Sequence, residues 1–112
     1  MTNDAKLGKA TKLLIAEGDV QISAASIWEL TLKNAKGKLP LPDGDIGQQL
    51  LEHGFNMLPI LPKHIEATRK LRCNHPDPFD RLIIATAFDE RLVLLTRDAD
   101  ILSLGLDYII AA

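Results

Sequence analysis

Apolar residues along this chain follow two patterns. Some recur every three to four residues, as in helices, and others form the continuous runs of buried strands. Near the start, Leu7, Ala10, Leu13 and Leu14 follow the helical spacing. Gly18 comes soon after them and is typical of the residue at which a helix ends. The pattern therefore predicts a first helix that ends just before Gly18.

The rest of the chain alternates predicted strands with predicted helices. Asp45, with Gln48 three residues later, is typical of a helix N-cap. Pro59 cannot donate a hydrogen bond to a neighbouring strand, so its strand is predicted to lie at an edge of the sheet. The predicted strands are residues 19–23, 56–61, 92–96 and 107–111, and the predicted helices are residues 26–36, 46–54, 63–71 and 78–91.

The last long helix and the strand after it predict the core. Asp77 followed by Pro78 is typical of an N-cap and a first helical position, and the helix is apolar on nearly every side. The run LVLLT at residues 92–96 is apolar throughout, as a central parallel strand should be. Together with the strand–helix alternation, these features predict an α/β three-layer sandwich with a mostly parallel central sheet flanked by helices. We expect one domain over residues 1–112.

Four carboxylates come after predicted strands or at the starts of helices. Glu29 follows the strand that ends near Ser23, Asp98 follows the strand that ends at Thr96, and Asp77 and Asp80 begin the core helix. Ligands of open α/β sheets bind beyond the carboxyl ends of the strands, so all four can face one rim. Carboxylates crowded there repel one another unless a cation lies among them, and Mg²⁺ or Mn²⁺ is the oxygen-preferring choice.

Each of these acids also has a purely structural interpretation. Ser26 and Glu29 form S-x-x-E, the pattern of a capping box. Asp77 and Asp80 form D-P-x-D, which also suits an N-cap with an acid at the third helical position. Asp98 could cap a short helical turn that follows it. Taken singly each acid is better explained as a cap, but three independent caps need not converge on one rim, and convergence favours a metal site.

Composition excludes several other classes of protein. The net charge of −2 gives no electrostatic indication of nucleic-acid binding, and Cys73 is the single cysteine, which rules out an internal disulfide. We therefore expect a reducing, cytoplasmic environment. No apolar run is long enough to span a membrane. The three histidines lack the spacing of zinc ligands, and no glycine-rich nucleotide-binding motif is present.

With these motifs in hand, the chain resembles the PIN-domain ribonucleases, and among them the VapC-type toxins of toxin–antitoxin modules. The resemblance lies in KLGKATKLLIAEGDVQISAASIWELTLKNAKGKLPLP and in DPFDRLIIATAFDERLVLLTRDADI. It implies a Mg²⁺- or Mn²⁺-dependent endoribonuclease that forms a homodimer and is neutralised by an antitoxin protein. By position, the resemblance assigns the metal to Glu29, Asp77, Asp80 and Asp98, catalysis to Glu29, Asp80 and Asp98, and RNA-substrate binding to Ser23, Thr96 and Arg97.

The chain departs from this family at its start. Members open with an apolar strand of the form L-D-T that carries a further metal-binding Asp, whereas only MTNDA precedes Lys6 here. In the family that strand lies in the middle of the sheet, between the strands near Val20 and Val93. We therefore expect a first central strand to be missing. Two functions follow as hypotheses: an endoribonuclease toxin, or a catalytically impaired PIN-like protein that only binds an antitoxin or its own kind.

Overall fold

The chain folds around a five-stranded sheet. The computed structural model describes residues 12–16, 19–38, 44–71 and 75–112. Its strands are β1 (Leu13–Ala16), β2 (Asp19–Ser23), β3 (Asn56–Leu58), β4 (Val93–Thr96) and β5 (Ile109–Ala111). Its helices are α1 (Ala24–Ala35), α2 (Ile46–Glu52), α3 (Pro62–Lys70), α4 (Pro78–Glu90) and α5 (Ala99–Leu102).

The strands are arranged in the order β3-β2-β1-β4-β5. β2 pairs with β3 and β4 pairs with β5 in parallel, whereas β1 runs antiparallel to both of its neighbours, β2 and β4. Four strands therefore share one direction and the central strand opposes them. The predicted α/β fold with helices flanking a sheet is confirmed, although the sheet is mixed. β3, which directly precedes Pro59, lies at an edge as predicted.

The prediction of a helix near the start is wrong for Leu13 and Leu14, which lie in β1. Leu7, Ala10 and Gly18 lie outside the described residues. The reason is tertiary: in β1 these residues form ladders on both sides, and Leu14 becomes completely buried in the core. A helix here would leave the facing edges of β2 and β4 without a partner, and unpaired buried backbone groups cost about 1–3 kcal/mol each.

No gap divides the described sheet at its centre. β1 occupies the position between β2 and β4 that the resemblance gives to an opening strand, so each of those two strands has a hydrogen-bonded neighbour on that side. The direction of β1 is opposite to that of its neighbours. This reversal determines which residue β1 brings to each end of the sheet.

The hydrophobic core forms where α4 packs against the centre of the sheet. Pro78 begins the helix after the N-cap Asp77, and Arg91 ends it in the left-handed conformation, with φ of 56°. The prediction that this helix is buried is confirmed for its middle, residues 83–87, and is wrong for Phe88 near its end, which is 66% exposed. Its buried apolar residues join side chains from β1, β4, α5 and β5 in one cluster that includes Leu14, Ile83, Ile84, Ala87, Leu94, Ile101 and Ile109.

We expect Leu14→Ala to lower the free energy of unfolding by about 2–5 kcal/mol, because it removes a completely buried side chain from the central strand. Ile110→Ala is the matched control, since Ile110 lies on the edge strand β5 and is 48% exposed. Denaturant unfolding monitored by circular dichroism measures both variants. Equal losses for the two would contradict a central position for β1.

Candidate metal centre

One rim of the sheet collects the ends of three strands. Leu13, the first residue of β1, pairs with the next-to-last residue of β2 and of β4. Lys12 therefore comes level with the last residues of those strands, Ser23 and Thr96. Because β1 runs antiparallel, its amino end lies where its neighbours have their carboxyl ends, and all three of these residues are buried.

Helix α1 begins directly after β2 and carries Glu29 to this rim. The hydroxyl of Ser23 accepts a hydrogen bond from the backbone N–H of Ala25 and so caps the helix. Glu29 therefore lies in the second turn, is only 6% exposed, and is not part of a capping box. The capping interpretation of Ser26 and Glu29 is wrong, because the helix starts earlier than the sequence pattern suggested. Glu29 is a buried acid in the body of a helix, where burial opposes its charge.

Helix α4 brings Asp77 and Asp80 to the same place. Asp77 is the N-cap, and its Oδ1 accepts from the backbone N–H groups of Phe79 and Asp80 at 2.9 and 3.2 Å. Asp80 is 4% exposed, and its Oδ2 lies 2.7 Å from Nε2 of His75. His75 was not predicted as a site residue, because its spacing from the other histidines carried no signal. Its position shortly before a capping Asp is what places it against Asp80.

Lys12 is the second residue at this rim that the sequence did not single out. Its side chain is 3% exposed, and its Nζ lies 3.1 Å from Oδ1 of Asp80 and 3.5 Å from Oε1 of Glu29. Burial lowers the pKa of this amine, but the attraction of Asp80 and then of Glu29 outweighs burial and raises the pKa above its usual value. Lys12 is therefore an ammonium ion at neutral pH, buried between two carboxylates.

Asp98 approaches from the other side of a small cleft. Its Oδ1 caps α5 by accepting from the N–H groups of Asp100 and Ile101, and its own N–H donates to Oγ1 of Thr96 at 3.1 Å. Asp98 lines a cleft of about 450 Å³ together with His75, Asp77 and Asp80. Arg97, beside it in the chain, is exposed.

Three of the four predicted acids come close enough to share one ion. Glu29, Asp77 and Asp80 each offer a carboxylate oxygen, and these oxygens lie within 4.8 Å of one another. Oδ1 of Asp80 is buried, meets no strict hydrogen-bond geometry with the described residues, and forms an ion pair with Lys12. An all-oxygen, anionic set of donors suits a hard divalent cation. Asp98 stands outside this group of three but on the same cleft.

Comparison with known families decides what this chain is related to. The sequence profile of the PIN domain matches residues 1–105, which is nearly the whole chain. The chain belongs to the PIN-domain family. Comparisons with curated proteins and with solved structures give no significant match.

Membership of this family gives the acidic rim a chemical context. PIN domains are in general associated with nuclease activity and RNA binding, and they usually depend on a divalent metal. The acidic centre of this PIN domain fits such a metal by its donors. None of the helices that the structure describes has the length and apolar character needed to cross a membrane.

A second group of potential metal ligands in this PIN domain has a different role. His64, Asp89 and Glu90 lie close together where α3 meets α4. Nδ1 of His64 accepts from the backbone N–H of Leu61, so the ring proton is on Nε2, which donates to Glu90 at 2.9 Å. A metal at Nε2 would need the lone pair that this tautomer lacks. Lys63 completes the group 2.6 Å from Glu90, and the cluster joins the two helices.

The contacts of Glu90 between α3 and α4 make the free energy of unfolding depend on pH. The hydrogen bond from Lys63, and then that from His64, lowers the pKa of Glu90 below its usual value of 4.5. A lowered folded-state pKa stabilises the fold above the unfolded-state value, and that stabilisation is lost as pH falls through the folded-state value. We therefore expect Glu90→Gln to destabilise the protein at pH 6, with the difference from wild type shrinking as pH falls below 4.5.

Urea unfolding at several pH values between 3 and 6 measures this difference. Glu66→Gln is the control, because Glu66 pairs with Arg69 on the exposed surface of α3. A difference between wild type and Glu90→Gln that stayed constant across this range would show that Glu90 titrates normally in the folded protein.

Proposed function

We propose that this PIN domain is a metal-dependent endoribonuclease that hydrolyses RNA phosphodiester bonds. The observation that carries the proposal is the convergence of Glu29, Asp77 and Asp80, from two different helices, on one rim with their oxygens within 4.8 Å. Local capping does not require this convergence, and Glu29 caps no helix at all. The alternative of a PIN-like protein that only binds partners is not favoured, because no feature of the described residues points to it over catalysis.

In the proposed reaction the oxygen of a water molecule bonds to phosphorus while the bond from phosphorus to the leaving sugar oxygen breaks. The leaving oxygen takes up a proton and the attacking water loses one. Glu29, Asp77 and Asp80 would hold Mg²⁺ or Mn²⁺, with Asp98 across the cleft. Such an ion, when bound, orients the water and stabilises the charge that develops on the phosphate.

The residues around these acids fix their positions. His75 holds one oxygen of Asp80, and the N–H groups at the start of α4 hold one oxygen of Asp77. Thr96 holds the backbone of Asp98. We propose that Arg97, exposed beside Asp98, contacts an RNA phosphate, and that the strand ends at Ser23 and Thr96 form the floor of the substrate site.

We expect Asp80→Asn to reduce metal-dependent RNA cleavage by at least about a hundredfold, since even residues that only orient metal ligands cost 10- to 100-fold when changed. The substitution keeps the shape of the side chain and removes its charge. Cleavage of a fluorescent RNA in Mn²⁺ or Mg²⁺ is the measurement, with chelator as a second way to abolish it. Asp107→Asn, at an exposed position, is the matched control. Undiminished cleavage by Asp80→Asn, or cleavage in excess chelator, would rule the mechanism out.

We further propose that the biological role is that of a VapC-type toxin, a homodimer in the cytoplasm whose activity an antitoxin protein blocks. Support comes from the two long segments that resemble those toxins, one that includes β1, β2 and α1 and one that runs from α4 into α5. The exposed Trp28 and Phe88 provide apolar surface for such partners.

The toxin role predicts that producing the chain in a bacterial host arrests growth. Asp80→Asn should relieve that arrest, because the arrest would come from RNA cleavage. Growth curves with total-RNA integrity measured in parallel provide the test, with protein levels matched by immunoblot. Equal arrest by the wild-type chain and by Asp80→Asn would separate toxicity from nuclease chemistry.

A further inference from the structure

The acidic centre holds a cation that belongs to the chain itself. The Lys12 ammonium lies between Glu29 and Asp80, and its side chain is 3% exposed. Lys33 also faces Glu29, but it lies 3.7 Å from the other oxygen, Oε2, and its side chain is 42% exposed. The two lysines therefore differ in kind: one is enclosed among the acids, and the other lies at their solvent edge.

Lys12 contacts carboxylate oxygens of two of the three proposed metal ligands. It approaches Oε1 of Glu29 and Oδ1 of Asp80, and the latter is the buried oxygen without a well-formed hydrogen bond. Mg²⁺ binds carboxylate oxygens at about 2.0–2.1 Å, so an ion on these oxygens would lie within a few ångströms of the ammonium. A divalent cation and an ammonium that close repel each other strongly in a buried site.

We propose that Lys12 is an internal competitor for the metal, so that a divalent cation enters the acidic centre only when the Lys12 ammonium withdraws from it. This inference rests on the metal centre of the proposed function and adds a form of regulation to it. Occupation by Lys12 keeps the buried acids neutralised in the absence of metal. The same occupation reduces the affinity for metal.

The position of Lys12 in the fold permits withdrawal. It precedes β1, so its withdrawal would move a side chain at the end of the strand and none of the strand's own residues. Lysine also has a flexible four-carbon stem that can carry its charge to solvent. If the withdrawn state is populated at about 1–10%, the apparent affinity for metal falls to that fraction of its intrinsic value, a loss of about 10- to 100-fold.

The first test is calorimetric titration of Mn²⁺ into full-length variants at pH 7. Lys12→Met keeps much of the apolar stem and removes the charge, and we expect it to bind Mn²⁺ at least about tenfold more tightly than wild type. Lys12→Arg should stay close to wild type or bind more weakly. Lys33→Met is the matched control and should change affinity by only about two- to threefold, since exposed ion pairs contribute little. Mn²⁺ should also raise the melting temperature more for Lys12→Met than for wild type.

The second test uses the wild-type chain and so does not depend on a variant that folds. Acetic anhydride labelling followed by mass spectrometry reports the accessibility of each lysine amine. We expect Lys12 to react slowly without metal and several-fold faster with saturating Mn²⁺, while exposed Lys36 stays unchanged. Unchanged labelling of Lys12 with Mn²⁺ bound, or equal affinity in wild type and Lys12→Met, would overturn the competitor role and leave the metal centre intact. Absence of Mn²⁺ binding by every form, including Lys12→Met, would overturn both proposals.

Discussion

Burial of Glu29 and Asp80 side by side is the constraint on which this rim of the protein depends. Both carboxylates are almost completely removed from solvent, and oxygens of the two lie within 4.8 Å of each other. Two like charges at that separation repel by roughly 3–4 kcal/mol even at an effective dielectric constant near 20. A cation among them offsets this repulsion, and Lys12 supplies one from within the chain.

The direction of β1 makes this solution available. A parallel strand in the same position would have its carboxyl end at the acidic rim. The antiparallel β1 has its amino end there, and so brings Lys12, the residue before the strand, to the acids. In the family that the chain resembles, the strand at this position carries an additional acid, and we expected that strand to be missing here. The structure instead places Lys12 at that level, so the antiparallel direction of β1 brings a positive charge to the centre of the rim.

Much of the fold followed from the sequence, because the signals that predicted it are local. The N-caps at Asp45 and Asp77 form as expected, and the strand DVQIS has the predicted bounds. The first helix failed because helical spacing over a few leucines is a weak signal. A stronger one was present: the apolar run LLIA and the alternating run DVQI are separated by two residues that end in Gly18, which is typical of a hairpin. Lys12 could not be predicted, since it acquires its partners only through tertiary packing. His75 contacts an acid only five residues away, but its spacing from the other histidines gave no signal.

The acids show that one residue can both cap a helix and line a site formed by residues distant in the sequence. Asp77 and Asp98 are N-caps, as the structural interpretation required, yet both line the cleft beside Asp80. A cap uses one carboxylate oxygen and fixes the side chain in one orientation. The backbone N–H groups that hold that oxygen also offset part of the negative charge. Capping can therefore prepare a carboxylate for a second role without excluding it.

A consequence of this arrangement is that stability and metal affinity oppose each other at Lys12. The charge that neutralises Glu29 and Asp80 in the metal-free protein is the charge that a divalent ion must displace. Leu14, two residues away, anchors the same strand in the core. The fold is thus held by the body of β1, and Lys12 precedes that strand. That separation lets the acidic centre exchange one cation for another without unfolding the sheet that supports it.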